Sequence, residues 1–283
     1  MQISKVGIIG AGTMGSGIAQ ICAVSGVQVT MLDVSEAALS RGVSAVDKSL
    51  ERLISKGQLD PEAHRRALDS IKTSTDYACL VDMDLVIEAA TENLDLKLRI
   101  LSDVSAVVRD DALVATNTSS LSITRLAASV KNPERFVGMH FFNPVPIMML
   151  VELIRGIQTS DETLSLARGF AESVQRVPII ARNSAGFAVN RILVPMINEA
   201  IFVLQEGVAR AEDIDTGMKL GCNHPVGPLA LADLIGLDVV LAVMEVLYKA
   251  FNDSKYRPAP LLIEMVDAGH LGRKSRKGFY TYP

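Results

Sequence analysis

The chain has 283 residues and a net charge of −4 at pH 7. A single hydrophobic core stops growing beyond about 250 residues, so we expect two domains. Apolar residues make up 49% and charged residues 21%, a globular composition that excludes a disordered chain. With no basic excess to neutralise phosphates, the composition argues against a nucleic-acid partner.

The cysteines and the apolar stretches exclude two further classes of protein. Cys22, Cys79 and Cys222 are too scattered for a disulfide framework or a sulfur-rich zinc site, and we predict no metal. The most apolar helical stretch, residues 229–248, carries three carboxylates and therefore predicts a core helix, not a membrane span. The N-terminus has no clear signal or transit pattern, so we expect a cytoplasmic protein.

The first half of the chain alternates short apolar runs with helical periodicity, which predicts an α/β domain with a mostly parallel sheet. The predicted strands are residues 6–9, 27–32, 85–89, 113–116, 136–139, 149–154 and 178–181. A long helical region begins near Ser35 and is interrupted near residues 57–61.

Near Asn183 the pattern changes to apolar residues at helical spacing, which predicts an all-α C-terminal domain. The predicted domains are residues 1–183 and 184–283. The predicted helices are residues 185–205, with a kink at Pro195, and residues 211–220, 228–249 and 260–268.

A glycine-rich turn follows the first predicted strand: Gly10-Ala11-Gly12-Thr13-Met14-Gly15. Gly10 permits the tight turn, Gly12 lets a pyrophosphate approach the backbone, and Gly15 allows close helix–strand packing. The amides of Thr13 and Met14 at the helix start then face the phosphates. Asp33 ends the next strand, where a carboxylate accepts the adenosine ribose hydroxyls. This context predicts a Rossmann-type domain, and NAD is favoured over NADP because no arginine follows Asp33.

Polar side chains also follow two later strands. Glu92 and Asn117 lie where open α/β sheets bind ligands. Helix capping or turn formation explains both residues equally well at this point.

His140 closes the apolar run of residues 136–139, and Glu152 interrupts another apolar run twelve residues later. A carboxylate on an apolar strand needs a partner, because burying it unpaired is costly. A His140–Glu152 pair satisfies both groups and has the form of a general base, with the carboxylate fixing the imidazole tautomer.

Longer motifs give a resemblance over essentially the whole chain. They are Gly10-Ala11-Gly12-Thr13-Met14-Gly15, Asn117-Thr118-Ser119-Ser120-Leu121, His140-Phe141-Phe142-Asn143-Pro144, Gly186-Phe187-Ala188-Val189-Asn190-Arg191, Asp213-Ile214-Asp215, Met218-Lys219-Leu220-Gly221, Pro225-Val226-Gly227-Pro228 and Lys277-Gly278-Phe279-Tyr280. Together they resemble the short-chain 3-hydroxyacyl-CoA dehydrogenases, in particular the bacterial 3-hydroxybutyryl-CoA dehydrogenases. The resemblance implies a Rossmann domain, a helical domain that forms a homodimer, and NAD-dependent oxidation of (3S)-3-hydroxyacyl-CoA to 3-oxoacyl-CoA.

The resemblance also implies roles for single residues. His140 would take the hydroxyl proton while hydride leaves C3, and Glu152 would orient it. Ser119 and Asn190 would contact the substrate oxygen. The implied cofactor contacts are Asp33, Glu92, Lys97, Asn117 and, in the active-site loop, Asn143.

Coenzyme A needs cations for its phosphates, and Lys48, Arg52 and Lys56 recur every four residues on one helix face. A solvated surface stripe explains this spacing equally well. The resemblance favours Arg52 and Lys56 as substrate-binding residues. A second basic cluster occupies residues 273–277.

The chain departs from the family pattern at Met149, where a lysine is common, and at Arg276, where a glycine is common, so the tail turn is expected to differ. Two other functions stay open: a dehydrogenase of free β-hydroxy acids, and a catalytically silent dinucleotide-binding structural protein. The first generally uses a lysine where this chain has Asn190.

Overall fold

The computed structural model describes residues 3–283. The chain forms two compact units, one ending at Ser184 and the other beginning at Ala185. This division lies one residue beyond the boundary expected from the sequence.

The first unit holds an eight-stranded sheet with helices between its strands. Its strands are β1 (Lys5–Ile9), β2 (Gln28–Leu32), β3 (Ile71–Ser74), β4 (Leu85–Glu88), β5 (Leu113–Thr116), β6 (Phe136–Phe141), β7 (Leu150–Arg155) and β8 (Val177–Arg182). Its helices are α1 (Thr13–Val24), α2 (Glu36–Ser55), α3 (Pro61–Asp69), α4 (Leu94–Val107), α5 (Ile123–Ala127) and α6 (Asp161–Ser173).

The strand order is β3-β2-β1-β4-β5-β6-β7-β8. Neighbouring strands are parallel except for β6 and β7, which are antiparallel. This confirms the predicted Rossmann-type domain with a mostly parallel sheet.

The central strands are buried because helices cover the sheet, which explains why they appear in the sequence as short, almost wholly apolar runs. Edge strand β3 was missed, since its sequence Ile-Lys-Thr-Ser is largely polar and only partly buried. It pairs with β2 through backbone hydrogen bonds, which depend little on side-chain type.

The second unit is helical, as expected. Its helices are α7 (Val189–Gln205), α8 (Ala211–Gly221), α9 (Pro228–Ile235), α10 (Leu237–Phe251) and α11 (Pro260–Asp267). No helix among residues 3–283 combines the length and the apolar character that crossing a membrane requires.

Two of the predicted helices were wrong in extent. The helix predicted over residues 228–249 breaks at Gly236, where φ is +104° and no helical turn can continue. The helix predicted from residue 185 begins at Val189, since Gly186 and Phe187 have φ values of +71° and +47°. Pro195 lies inside this helix, as expected.

Buried Asp233 fixes the C-terminal tail in the second unit. Its carboxylate accepts the backbone N–H groups of Phe279 and Tyr280, at 3.0 Å each, and the hydroxyl of Tyr282 at 2.9 Å. Arg276 has φ +61°, so it adopts the left-handed conformation that glycine takes more easily. The positive φ that arginine was expected to avoid is therefore present, and a difference between this turn and that of the family stays a prediction.

Candidate active site

The glycine-rich turn leaves open space above the backbone between β1 and α1. Gly10 has φ +99°, and a Cβ there would lie 2.7 Å from the Cα of Ala90. A Cβ on Gly15 would lie 1.8 Å from the carbonyl oxygen of Gly10. A Cβ on Gly12 would meet no described atom within 4 Å. The turn therefore needs glycine at two positions for its own packing, whereas the space beside Gly12 is open to a ligand.

Helix α1 presents its N-terminus to the same space. Gly12 is its N-cap residue, and no side chain of the described residues caps this end. The amides of Thr13 and Met14 belong to the first turn, where N–H groups have no partner within the helix. Such an end attracts phosphate oxygens.

A cavity of about 400 Å³ adjoins the turn, and Asp33 at the end of β2 lines it. The Asp33 carboxylate accepts the N–H of Ala11 at 2.9 Å and that of Ser35 at 3.2 Å. These two amides fix the carboxylate while each oxygen keeps a lone pair for a ligand hydroxyl. The turn, the helix end and Asp33 together fit the adenosine half of a dinucleotide.

His140 and Glu152 face each other across the antiparallel pair β6–β7. The Nδ1 atom of His140 lies 2.8 Å from Oε2 of Glu152. Glu152 is fully buried, and His140 is 4% exposed. The contact predicted from the sequence is present, and its cause is strand register, which sets residues twelve positions apart directly opposite each other.

Ser119 extends this pair, since its hydroxyl lies 3.1 Å from Nε2 of His140. Glu92 holds the turn that carries Ser119. Its two carboxylate oxygens accept the N–H of Ser119 at 2.6 Å and the hydroxyl of Thr118 at 2.7 Å. The residues Ser119, His140 and Glu152 thus form one hydrogen-bonded chain, which we name the histidine chain.

Asn117 and Asn143 flank the histidine chain. The side-chain oxygen of Asn117 accepts the N–H of Phe141 at 2.9 Å, so it ties the end of β5 to β6. Asn143 is exposed in the loop after β6. The ring of Phe142 packs against the imidazole of His140 with 4.5 Å between ring centroids. Cofactor contacts by Asn117 and Asn143 stay predictions.

Lys97 lies in the interior of the first unit, and its contact with the cofactor stays a prediction. Its side chain is fully buried, and its ammonium pairs with the equally buried carboxylate of Glu88. Thr116 completes the group, since its hydroxyl donates to Glu88 at 2.7 Å and accepts from Lys97 at 3.1 Å. We name Glu88, Lys97 and Thr116 the lysine chain. Lys97 is a cation that neutralises a buried carboxylate.

The lysine chain reaches the nucleotide cavity only through the backbone. The other Glu88 oxygen accepts the N–H of Ala90 at 2.9 Å, and Ala90 lines the cavity. Sequence reasoning missed Glu88, although a carboxylate in an apolar strand is the signal that identified Glu152.

The predicted coenzyme A cations lie on one exposed stretch of the first unit. Lys48 and Arg52 belong to α2, and Lys56 is its C-cap residue. None of the three forms an ion pair within residues 3–283, which leaves the charges available to an anion. Asn190 is the second residue of α7 in the other unit. The substrate contacts of these residues stay predictions.

Two family models match the chain. The model of the 3-hydroxyacyl-CoA dehydrogenase NAD-binding domain matches residues 5–184, and that of the C-terminal domain of the same enzymes matches residues 186–282. The chain belongs to the 3-hydroxyacyl-CoA dehydrogenase family. This confirms the resemblance, the NAD cofactor and the assignment as an oxidoreductase.

Individual members of the 3-hydroxyacyl-CoA dehydrogenase family are similar over their full length. A 3-hydroxybutyryl-CoA dehydrogenase of Bradyrhizobium diazoefficiens is 50% identical, covering 99% of this chain and 96% of the relative. A 3-hydroxybutyryl-CoA dehydrogenase of Clostridioides difficile is 48% identical, covering 98% of this chain and 99% of the relative. The crystal structure of (S)-3-hydroxybutyryl-CoA dehydrogenase from Ralstonia eutropha has 58% identity and a TM-score of 0.98, covering 100% of both chains.

Proposed function

We propose that this chain oxidises (3S)-3-hydroxybutyryl-CoA to the 3-oxoacyl-CoA, reversibly, with His140 as the general base. The observation that carries the proposal is the histidine chain, in which a buried carboxylate binds one imidazole nitrogen and a hydroxyl lies within hydrogen-bond distance of the other. The names of the relatives support the four-carbon substrate.

The geometry supports one tautomer for the reacting enzyme. A Glu152 carboxylate only accepts, so Nδ1 of His140 carries the hydrogen and Nε2 carries the lone pair. Nε2 then takes the proton of the substrate hydroxyl, and Glu152 stabilises the imidazolium that forms. Bound NAD supplies the acceptor for the hydride that leaves C3. The substrate C–O bond becomes a carbonyl as both hydrogens depart.

Ser119 supports the reacting oxygen in this scheme. Its hydroxyl lies 3.1 Å from Nε2 of His140, so a substrate hydroxyl that binds beside Nε2 would be within reach of both groups. Glu92 fixes Ser119 through the backbone, which keeps that hydroxyl in place. Asn190 is proposed as a further contact to the substrate oxygen.

The decisive experiment compares oxidation of NADH with acetoacetyl-CoA, with longer 3-oxoacyl-CoA thioesters and with free acetoacetate. Turnover of acetoacetyl-CoA and none of acetoacetate is expected. A preference for the free acid would instead support a β-hydroxy acid dehydrogenase, and NADH binding without turnover of any of these compounds would support a silent structural protein.

The basic residues proposed to bind the phosphates of coenzyme A permit a separate prediction. Lys56→Glu reverses the exposed charge at the end of α2, so we expect a KM increase for acetoacetyl-CoA of about tenfold or more. The increase should be smaller for acetoacetyl-pantetheine, which has no nucleotide phosphates. The matched control is Lys72→Glu on the edge strand β3. Equal increases for both thioesters would contradict a phosphate contact.

Association into a homodimer through the helical unit remains part of the proposal. Exposed apolar side chains in that unit, including Ile192, Leu220 and Leu234, support it. Light scattering of the purified protein measures the mass directly, and a monomer at micromolar concentration would contradict it.

A further inference from the structure

An arginine side chain lines the nucleotide cavity, and the sequence pattern gave no sign of its position there. Of the described residues that line the cavity, Asp33 and Arg41 are the charged ones. Arg41 is exposed and forms no ion pair or side-chain hydrogen bond within residues 3–283. A guanidinium with no protein partner therefore shares a wall with the carboxylate expected to bind ribose.

Helix geometry explains why Arg41 lies there. The residues of α2 that line the cavity are Ala38, Arg41, Gly42 and Ala45, which recur at the spacing of one helix face. The helix approaches the glycine-rich turn closely, since a Cβ on Gly42 would lie 2.8 Å from the carbonyl oxygen of Ala11. Arg41, next to Gly42, is thereby held beside the turn.

The position of Arg41 favours the ribose side of the cavity over the pyrophosphate side. The N-terminal amides of α1 already face the pyrophosphate position. Helix α2 instead begins three residues after Asp33, the carboxylate expected to bind ribose, and Arg41 lies in the second turn of that helix. An arginine near the ribose of a Rossmann domain suits a 2′-phosphate, which it can bind through two parallel hydrogen bonds.

We propose that Arg41 binds the 2′-phosphate of NADP(H), so that Asp33 and Arg41 set the cofactor preference by opposing each other. This inference rests on the proposed function only for the reaction used as one readout. The Asp33 carboxylate repels a 2′-phosphate and keeps NAD preferred, while Arg41 maintains a residual affinity for NADP(H). An adenosine ribose without this phosphate gains nothing from Arg41.

Calorimetric titration with adenosine 2′,5′-bisphosphate and with 5′-AMP tests this without nicotinamide or acyl-CoA. Arg41→Ala should weaken binding of the bisphosphate about tenfold and change binding of 5′-AMP less than about twofold. The matched control is Arg168→Ala on α6, an exposed arginine that does not line the cavity. It should change neither constant.

Removing the opposing charge sharpens the test. Asp33→Ala should strengthen bisphosphate binding, and Asp33→Ala combined with Arg41→Ala should lose that gain. The ratio of kcat/KM for NADPH to that for NADH, measured with acetoacetyl-CoA, should follow the same order.

Equal weakening of both nucleotides by Arg41→Ala would overturn the inference, since it would place Arg41 on a phosphate common to NAD and NADP. No weakening of either would overturn it as well. If the wild-type protein is inactive but Arg41→Ala still selectively weakens bisphosphate binding, the proposed function is refuted and this inference stands.

Discussion

Two buried carboxylates near the same end of the strands in the sheet have different neighbours. In the lysine chain, Glu88 on β4 pairs with Lys97, and neither side chain is exposed. In the histidine chain, Glu152 on β7 pairs with His140, whose second nitrogen meets the Ser119 hydroxyl at the partly exposed surface. The first pair is fully enclosed in the protein, whereas the second is connected to the surface through Ser119.

The number of nitrogen atoms in the cation decides whether a buried ion pair can also transfer a proton. The ammonium of Lys97 donates to Glu88 and Thr116, and its side chain is fully buried, so it is not exposed to a ligand in this structure. Imidazole has two nitrogens, so Glu152 can hold one while the other transfers a proton. We therefore expect the lysine chain to affect stability and the histidine chain to affect turnover.

The largest effect should come from removing the imidazole. His140→Ala is expected to lower kcat by about 10²- to 10⁴-fold, since general base catalysis is lost. The dissociation constant of NADH, measured by its fluorescence, should stay nearly unchanged, because His140 lies outside the nucleotide cavity. A parallel loss of NADH affinity would make His140 structural and remove the contrast between the chains.

The corresponding change in the lysine chain is Lys97→Met, which leaves Glu88 buried without a cation. We expect the free energy of unfolding to fall by about 3–5 kcal/mol in urea titrations, and the folded fraction to keep most of its kcat. The double variant Lys97→Met/Glu88→Gln is the control and should recover part of the stability. A Lys97→Met protein of normal stability with weakened NADH binding would restore Lys97 as a direct cofactor contact.

The smallest effects should come from the two hydroxyls, which make a matched pair. Ser119→Ala should lower kcat/KM for acetoacetyl-CoA about tenfold with little change in stability, since Ser119 lies at the surface end of its chain. Thr116→Val, nearly equal in shape to threonine, should lower the free energy of unfolding by about 1–3 kcal/mol and leave kcat/KM unchanged. The opposite assignment of the two effects would mean that the lysine chain is the reactive one.

Sequence reasoning worked best where a local pattern already contained the physical constraint. The glycine-rich turn was recognisable because each glycine answers a short-range steric demand. The His140–Glu152 contact was recognisable because a carboxylate in an apolar strand needs a partner. Sequence reasoning failed at Gly236, because its positive φ ends a helix that apolar periodicity alone would continue.

The amino-acid sequence alone predicts the Rossmann-type domain, the helical second unit, the dinucleotide turn and the candidate base, because periodicity and steric constraints act over a few residues. The pairing of Lys97 with Glu88, and the presence of Arg41 and Asp33 at one cavity, follow only from the packing of the folded chain. The physical reason is that a long charged side chain has many reachable partners, and packing between distant segments selects which of them it meets.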